Sequence, residues 1–208
     1  MNPGYLSLLL IVVSVILIAS GWKDVLIRGI TRTSLLLFFM GWLLGIQWTW
    51  ESGRWELNAV LPVLAALFLG VLLRSRGFLL KLHLLSVGLL LGSVHFFLKE
   101  TLPLAPMLVL ISPEWTTALL VGLLGAVLLR SPTGQIGSVT LGLLLGEAMD
   151  WYAHKEAWTG TIGGALFQDG WWLTVYAVRT SSMVVMALHR TLRSTLRFLW
   201  HSLKGGRE

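Results

Sequence analysis

Residues 5–22 read YLSLLLIVVSVILIASGW, a run without a single charged side chain. A helix of about 20 apolar residues is long enough to cross the hydrocarbon of a bilayer. No Lys or Arg precedes the run, so it lacks the positively charged start that is typical of a cleaved signal peptide. We therefore expect residues 5–22 to form a retained membrane span.

The composition of the whole chain agrees with this interpretation. The chain has 208 residues, of which 55% are hydrophobic and 12% charged, and its mean hydropathy is +0.77. A soluble domain carries roughly 25% charged residues. These values exclude an ordinary soluble enzyme, a disordered chain and a nucleic-acid-binding module. The chain contains no cysteine, which excludes disulfides, thiol nucleophiles and thiolate metal sites.

Six further apolar runs are long enough to be spans. They cover residues 33–50, 57–73, 80–98, 115–129, 137–153 and 172–189. The sequence thus predicts an all-α polytopic bundle of seven spans, with one transmembrane domain over residues 1–189 and a basic tail over residues 190–208. The stretch 101–111, which contains Pro103 and Pro106, is predicted to be a re-entrant or interfacial segment or an extension of span five.

The positive charges alternate between the two sides of this arrangement. Segments 23–32, 74–81 and 130–136 and the tail carry three, three, one and five Lys or Arg residues, whereas the three remaining loops carry one each. Cytoplasmic loops carry an excess of Lys and Arg. This twelve-to-three distribution places the carboxyl end in the cytoplasm and the amino end outside, which requires an odd number of spans.

Tryptophan is concentrated on the opposite side. Eight of the eleven tryptophans lie at or beyond the predicted outer ends of spans: Trp48, Trp50, Trp55, Trp115, Trp151, Trp158, Trp171 and Trp172. Indole rings favour the headgroup level of a bilayer, so an aromatic belt explains most of them. The excess on one face leaves an outer vestibule or a partner surface as an alternative.

Three segments of the chain resemble one another. Gly41–Gly45, Gly88–Gly92 and Gly142–Gly146 each place two glycines four residues apart late in an outward-running span. Two glycines on one helix face let another backbone approach closely. We expect three parallel hairpins plus a seventh helix, with the three glycine faces meeting at a common centre or serving ordinary helix packing.

Five ionisable residues in or at the end of predicted spans form a notable set, because charge inside a membrane is costly and needs a partner or water. Glu147, Asp150 and His154 are spaced three and four apart, so they line one stripe of span six. His95 lies on span four and Arg179 on span seven. Similar predicted depths favour a Glu147–Arg179 ion pair, which is either structural or part of a ligand or proton pathway.

A metal site is an alternative use of the same stripe. Glu147 and His154 lie about 10.5 Å apart along the helix axis, too far to share one ion. Asp150 with either neighbour can do so if His95 or Glu51 joins from another helix. The chain has no HExxH motif, nucleophile elbow or Walker loop. We therefore expect no catalytic residue, metal or cofactor.

The tail has helical periodicity of its own. Leu192, Leu196, Leu199 and Leu203 recur along one face. The flanking residues Arg190, Arg193, Arg197 and Lys204 predict an amphipathic helix on the anionic inner leaflet. A docking helix for a cytoplasmic partner is the alternative.

The opening Met1-Asn-Pro-Gly-Tyr5, the segments Ser20-Gly-Trp-Lys-Asp24 and Arg28-Gly-Ile-Thr31, and the hairpin plan resemble the small YphA-type membrane proteins of spore-forming Gram-positive bacteria. The resemblance covers most of the chain. It implies a bacterial plasma-membrane protein of unassigned role and supplies no functional residues.

Three functions follow from these observations. The first is a non-enzymatic multi-pass protein that organises the envelope or binds a partner. The second is a small transporter or proton-coupled permease that uses Glu147, Asp150 and Arg179. The third is a membrane-embedded metallo-hydrolase. Membrane lipids are the expected contacts, and nucleic acid is not.

Overall fold

The computed structural model describes residues 2–27, 29–53, 55–156, 158 and 160–205, and most of them are helical. The α-helices are α1 (Tyr5–Leu17), α2 (Lys23–Leu26), α3 (Arg32–Ile46), α4 (Val60–Arg74), α5 (Phe78–Thr101), α6 (Pro113–Leu128), α7 (Pro132–Ala153) and α8 (Ala165–Gly205). The strands are β1 (Thr49–Ser52), β2 (Trp55–Asn58) and β3 (Thr161–Ile162). A π-helical turn, Ile18–Trp22, joins α1 to α2, and a 3-10 turn covers Pro106–Leu108. The predicted helical class is correct, and the small sheet was not predicted.

Each of the seven longer helices overlaps one of the predicted spans. Within the described residues, two helical stretches, Tyr5–Trp22 and Phe78–Thr101, are both long and apolar enough to cross a membrane. Helices α3, α4 and α6 are apolar but have only 15 or 16 residues. At about 1.5 Å per residue they are roughly 22–24 Å long. The number of spans therefore stays a prediction.

Helix α7 lies at the centre of the bundle. It packs against α4, α5, α6 and α8, and the residues from Gly134 to Thr140 are all buried. Polar side chains on α7 bond to the surrounding helices: Ser138 Oγ donates to the Leu84 carbonyl (2.9 Å), and Thr140 Oγ1 accepts from Trp171 Nε1 (3.1 Å). Because protein rather than lipid surrounds α7, this helix tolerates more polar residues than a lipid-facing span does.

A three-stranded sheet covers one end of the bundle. Strands β1 and β2 form an antiparallel hairpin between α3 and α4, and β2 pairs in parallel with β3, which precedes α8. Helix α1 also begins here, because the Asp169 carboxylate accepts the backbone N–H groups of Gly4 (2.8 Å) and Ser7 (2.6 Å). We call this the sheet end. The opposite end, where α4 finishes at Arg74 and Arg76 follows, is the arginine end.

Serine and proline set the starts of two core helices. Ser112 Oγ accepts from the Trp115 N–H (3.4 Å) before α6, and Ser131 Oγ accepts from the Gly134 N–H (3.2 Å) before α7. A proline follows each serine, a position where its missing N–H has no cost. Since α6 begins only at Pro113, the predicted extension of span five through residues 101–111 is wrong.

The outward faces of the helices are strongly apolar. Helix α3, for example, exposes Leu36, Leu37, Met40, Leu43 and Leu44. Soluble monomers rarely expose contiguous apolar patches of this kind. The faces therefore fit contact with lipid chains.

The tail is part of a longer helix than the sequence predicts. A single helix runs from Ala165 to Gly205, about 60 Å at 1.5 Å per residue, so the tail continues α8 rather than forming a separate helix. Arg193 is exposed. The side chains of Arg190, Arg197 and Lys204 lie outside the described residues.

Two of the tryptophans assigned to the outer belt are core residues instead. Trp171 is 2% exposed and Trp172 4% exposed. Their rings pack with Trp42 of α3, with a centroid distance of 5.0 Å between Trp42 and Trp171. The belt prediction fails for this pair because α8 begins at Ala165, so both residues lie inside the helix rather than at its end.

Candidate functional site

The most unusual polar feature is a pair of buried carboxylates on α7. Glu147 is 5% exposed and Asp150 6% exposed, and both lie in the last two turns of the helix at the sheet end. They are three residues apart and therefore share a face. This part of the predicted stripe lies inside the protein.

Lys99 provides the positive charge for both carboxylates. Its Nζ lies 2.6 Å from Asp150 Oδ2 and 3.4 Å from Glu147 Oε2. The contact depends on the close approach of α5 and α7, which run in the same direction. A methyl group added at Gly92 would lie 2.8 Å from the Gly142 carbonyl oxygen, so only glycine permits this spacing.

A loop closes the site from the sheet end. The Gly163 N–H donates to Glu147 Oε1 (3.3 Å), and Gln168 Nε2 donates to the Gly163 carbonyl (3.1 Å) and to Asn58 Oδ1 (3.3 Å). Gly163 has a φ of 73° and lies against Leu61, so a side chain is disfavoured there by conformation and by space. The sheet and its loop thus cover the carboxylates.

His154 forms the exposed edge of the stripe. Its Nδ1 lies 3.1 Å from both the backbone oxygen and the Oδ1 atom of Asp150, and its Nε2 lies 3.8 Å from Glu100 Oε1. The hydrogen bond to the Asp150 carbonyl, with the nearby carboxylate of Glu100, raises the pKa of His154 above its ordinary value. Folding therefore stabilises the imidazolium form of His154 relative to an unperturbed histidine.

The residues closest to a metal-binding arrangement differ from those predicted. Potential ligand atoms of Glu100, Asp150 and His154 lie within 4.8 Å of one another, whereas neither His95 nor Glu51 belongs to this group. The Asp150 oxygens are already engaged by Lys99 and His154. An ion would have to displace these contacts, so the geometry fits an ion-pair network better than a metal centre.

His95 lies beside the carboxylates without bonding to them. Its ring packs against Gly146, where a methyl group would come within 2.6 Å of His95 Cδ2. Its Nδ1 is buried and has no hydrogen-bond partner among the described residues. The glycine thus makes room for the imidazole between α5 and α7.

The predicted Glu147–Arg179 ion pair is wrong. Arg179 Nη1 donates to Gln135 Oε1 (2.6 Å), near the start of α7. Because α8 begins at Ala165, Arg179 lies about 21 Å along its helix from the sheet end, whereas Glu147 lies about 9 Å from the end of α7. The prediction failed because it placed the start of span seven at residue 172.

The glycine faces are also brought together differently from the prediction. Gly88 and Gly92 on α5 meet Gly142 and Gly146 on α7 and the residues beside them. Gly41 and Gly45 instead face α4, where a methyl group at Gly45 would lie 3.1 Å from the Val60 nitrogen. The first copy therefore does not join a common centre with the other two.

Sequence reasoning missed Lys99, Glu100 and Gln135 as members of these networks. Lys99 and Glu100 were assigned to a loop, although α5 continues to Thr101. They lie three and four residues after Phe96, a spacing that gives no sign of a partner on α7. Only a weak signal for Gln135 was available, namely its position in a predicted inner loop close to an apolar run.

Comparison with known proteins gives one family. The family model described as YphA-like integral membrane protein matches residues 25–204. No curated protein and no solved structure matches the chain. The family resemblance drawn from the sequence is confirmed.

Proposed function

The chain belongs to the YphA-like integral membrane protein family, and we propose that it is a non-catalytic multi-pass protein of the bacterial plasma membrane that binds a partner at its sheet end. The observation that carries this proposal is the edge strand β1. Trp50 on this strand is 81% exposed, and Trp48 immediately before it is 73% exposed. The Trp48 carbonyl accepts from the Ala59 N–H (2.9 Å), so the two indoles are both exposed on the same β1–β2 hairpin and together offer an aromatic surface.

The polar site beneath this surface supports a structural role rather than transport. Lys99 bonds to both buried carboxylates, and the Gly163 loop covers Glu147. A proton-coupled permease needs a water-accessible carboxylate that changes partners. A satisfied network instead fixes the register of α5, α7 and the sheet.

The orientation is part of the proposal. All seven longer helices cross the membrane, with the sheet end and amino terminus outside and the arginine end in the cytoplasm. The twelve-to-three distribution of Lys and Arg supports this orientation. The segment 101–111 then lies at the outer surface, where the 91% exposed side chain of Met107 and its apolar neighbours contact the interfacial region of the bilayer.

The basic part of α8 provides a second contact. In the proposed orientation the helix leaves the membrane on the cytoplasmic side, where Arg190 and Arg193 are the basic residues nearest the inner leaflet and Arg197 and Lys204 follow about 10 and 21 Å beyond Arg190 along the helix. Each basic residue near an anionic leaflet contributes about 1 kcal/mol of attraction. Electrostatic contact with anionic lipid headgroups does not require this helix to lie flat.

Photocrosslinking distinguishes a partner surface from an aromatic belt. Benzoylphenylalanine is placed at Trp50 and, as a matched control, at Leu44, which is exposed on the apolar face of α3. The proposal predicts a discrete protein adduct at position 50 that unlabelled wild-type protein suppresses, and lipid adducts only at position 44. Lipid adducts alone at both positions would show that the tryptophans serve as a belt.

Cysteine accessibility tests the permease alternative. The chain has no native cysteine, so single cysteines at positions 147, 150 and 154 report directly on water. We expect impermeant thiol reagents to label position 154, which is exposed, and to leave positions 147 and 150 protected. Labelling at 147 together with ion transport that Glu147→Gln abolishes would favour the permease.

A further inference from the structure

A large cavity opens at the arginine end, among α1, α3, α4, α7 and α8. Its volume is about 1190 Å³, above the roughly 300–1,000 Å³ of ordinary small-molecule pockets. Glu147 and Asp150 do not line it, so it is separate from the carboxylate site. Most of the wall is apolar and includes Leu35, Phe38, Leu67, Val71, Trp172 and Val175.

The packing of the helices explains why this space exists. Helix α1 packs on α8, where Ser14 Oγ and the Tyr176 hydroxyl are 2.7 Å apart, whereas α3 packs on α4. The two pairs leave the cavity between them, with the aromatic rings of Phe38 and Trp172 at its inner wall. Such a wall loses contact energy unless an apolar group covers it.

The mouth of the cavity is cationic. Arg74 and Arg76 both line it, and neither forms an ion pair with any residue that the structure describes. Ser75 between them, together with Ser131 and Thr133, adds hydroxyl groups to the same lining. Guanidinium groups bind phosphate oxygens through paired N–H donors.

We propose that the cavity binds one anionic phospholipid from the leaflet at the arginine end. The phosphodiester lies between Arg74 and Arg76, and an acyl chain extends along the apolar wall towards Trp172. The charge at the mouth selects an anionic headgroup, and the length of the apolar wall selects a chain. This site is independent of the partner surface at the sheet end.

The headgroup arm of the test uses charge. Protein reconstituted in vesicles of equal parts phosphatidylglycerol and phosphatidylethanolamine is extracted in mild detergent, and retained lipid is counted by native mass spectrometry. Wild-type protein is expected to retain one phosphatidylglycerol in preference to phosphatidylethanolamine. The double variant Arg74→Gln/Arg76→Gln is expected to bind it about thirtyfold more weakly, since each basic residue contributes roughly fivefold.

The matched control removes the same charge elsewhere at that end. Lys81 and Arg130 do not line the cavity, so Lys81→Gln/Arg130→Gln is expected to retain phosphatidylglycerol like the wild type. Equal losses in the two double variants would overturn the proposal, because general surface charge would then explain retention.

The chain arm of the test fills the cavity. Gly70 lines it, and a Cβ built there meets nothing within 4 Å, so Gly70→Leu has room to begin a side chain that takes up cavity space. Gly170 on α8 has equally open surroundings but does not line the cavity. We expect Gly70→Leu to retain at least tenfold less phosphatidylglycerol, because the added side chain takes the space of the acyl chain. Gly170→Leu is expected to retain the lipid like the wild type.

Three results would overturn the proposal. The first is unchanged retention in Gly70→Leu, and the second is equal retention of phosphatidylethanolamine and phosphatidylglycerol by the wild type. The third is occupancy by a protein segment or a polyprenyl phosphate in place of the phospholipid. The arginine variants change exposed residues, so they remain informative if Gly70→Leu does not fold.

Discussion

Lys99 is the residue on which the carboxylate site depends. Its ammonium lies 2.6 Å from Asp150 and 3.4 Å from Glu147, and both carboxylates are buried. Two buried negative charges without a counterion would repel each other and lose hydration. The partly exposed ammonium of Lys99 therefore allows Glu147 and Asp150 to be buried together in the folded bundle.

Replacing Lys99 by Met should destabilise the protein. Loss of one partner from a fully buried pair costs roughly 3–5 kcal/mol, and partial exposure of the Lys99 side chain reduces this to about 2 kcal/mol. Thermal unfolding in detergent measures the loss. Lys155→Met is the control, because Lys155 is exposed and only lies over the Tyr152 ring at 5.3 Å. Equal melting temperatures for the two variants would contradict the pairing.

His154 should make stability depend on pH in a defined direction. Its pKa is raised above 6.5, first by the hydrogen bond to the Asp150 carbonyl and then by the carboxylate of Glu100. A raised pKa means that the stabilisation is complete below about pH 6.5 and is lost as pH rises through the folded-state pKa. The difference in melting temperature between wild type and His154→Gln should therefore be larger at about pH 5.5 than at about pH 8.5. A difference independent of pH would refute the assignment.

At this scale the sequence allowed one half of the site to be predicted. Glu147 and Asp150 stand out because carboxylates are rare inside apolar spans. Their partner could not be identified, because Lys99 looked like an ordinary loop charge until α5 was seen to reach Thr101. Helix ends are uncertain by several residues in sequence-based prediction. Here that error led to Arg179 being predicted as the partner of Glu147 in place of Lys99.

At the scale of elements, the contact between α5 and α7 organises the bundle. Gly88 and Gly92 on one helix meet Gly142 and Gly146 on the other. The close backbones bring Lys99 over Asp150 and His95 against Gly146. Packing and polar pairing therefore depend on the same glycines.

A methyl group at this contact should separate the two helices. In Gly92→Ala the added carbon would lie 2.8 Å from a backbone oxygen of Gly142, so the helices must shift at a cost of about 1–3 kcal/mol. Gly70→Ala, with open space around it, should not lose stability, because alanine favours the helix by about 1 kcal/mol over glycine. Unfolding in detergent compares them, and equal stability of the two variants would contradict the close contact.

The helices could be predicted from the sequence, whereas the sheet could not. Apolar runs as long as a span leave a strong signal, and each predicted run overlaps a helix. Strands β1 and β2 have four residues each, and β3 has two, so their alternation is too short to recognise. Residues 47–50 and 57–59 were consequently assigned to spans two and three, and α3 and α4 are shorter than predicted.

At the scale of the molecule, two differently charged ends define the protein. The sheet end contains the covered carboxylates and the exposed tryptophans, and the arginine end contains the mouth of the cavity. This polarity is the physical basis of the proposed orientation, because basic residues are retained on the cytoplasmic side. The count of Lys and Arg residues alone indicated this orientation, because the count depends on which loops alternate and not on where each helix ends.

The most direct test of the account is the location of the two chain ends. Single cysteines are introduced as Asn2→Cys and Thr195→Cys, both exposed positions, and intact cells are treated with an impermeant maleimide. Seven crossings with the tail in the cytoplasm predict labelling at position 2 in intact cells and at position 195 only after permeabilisation. Labelling of both positions in intact cells, or protection of both, would contradict the seven-span arrangement.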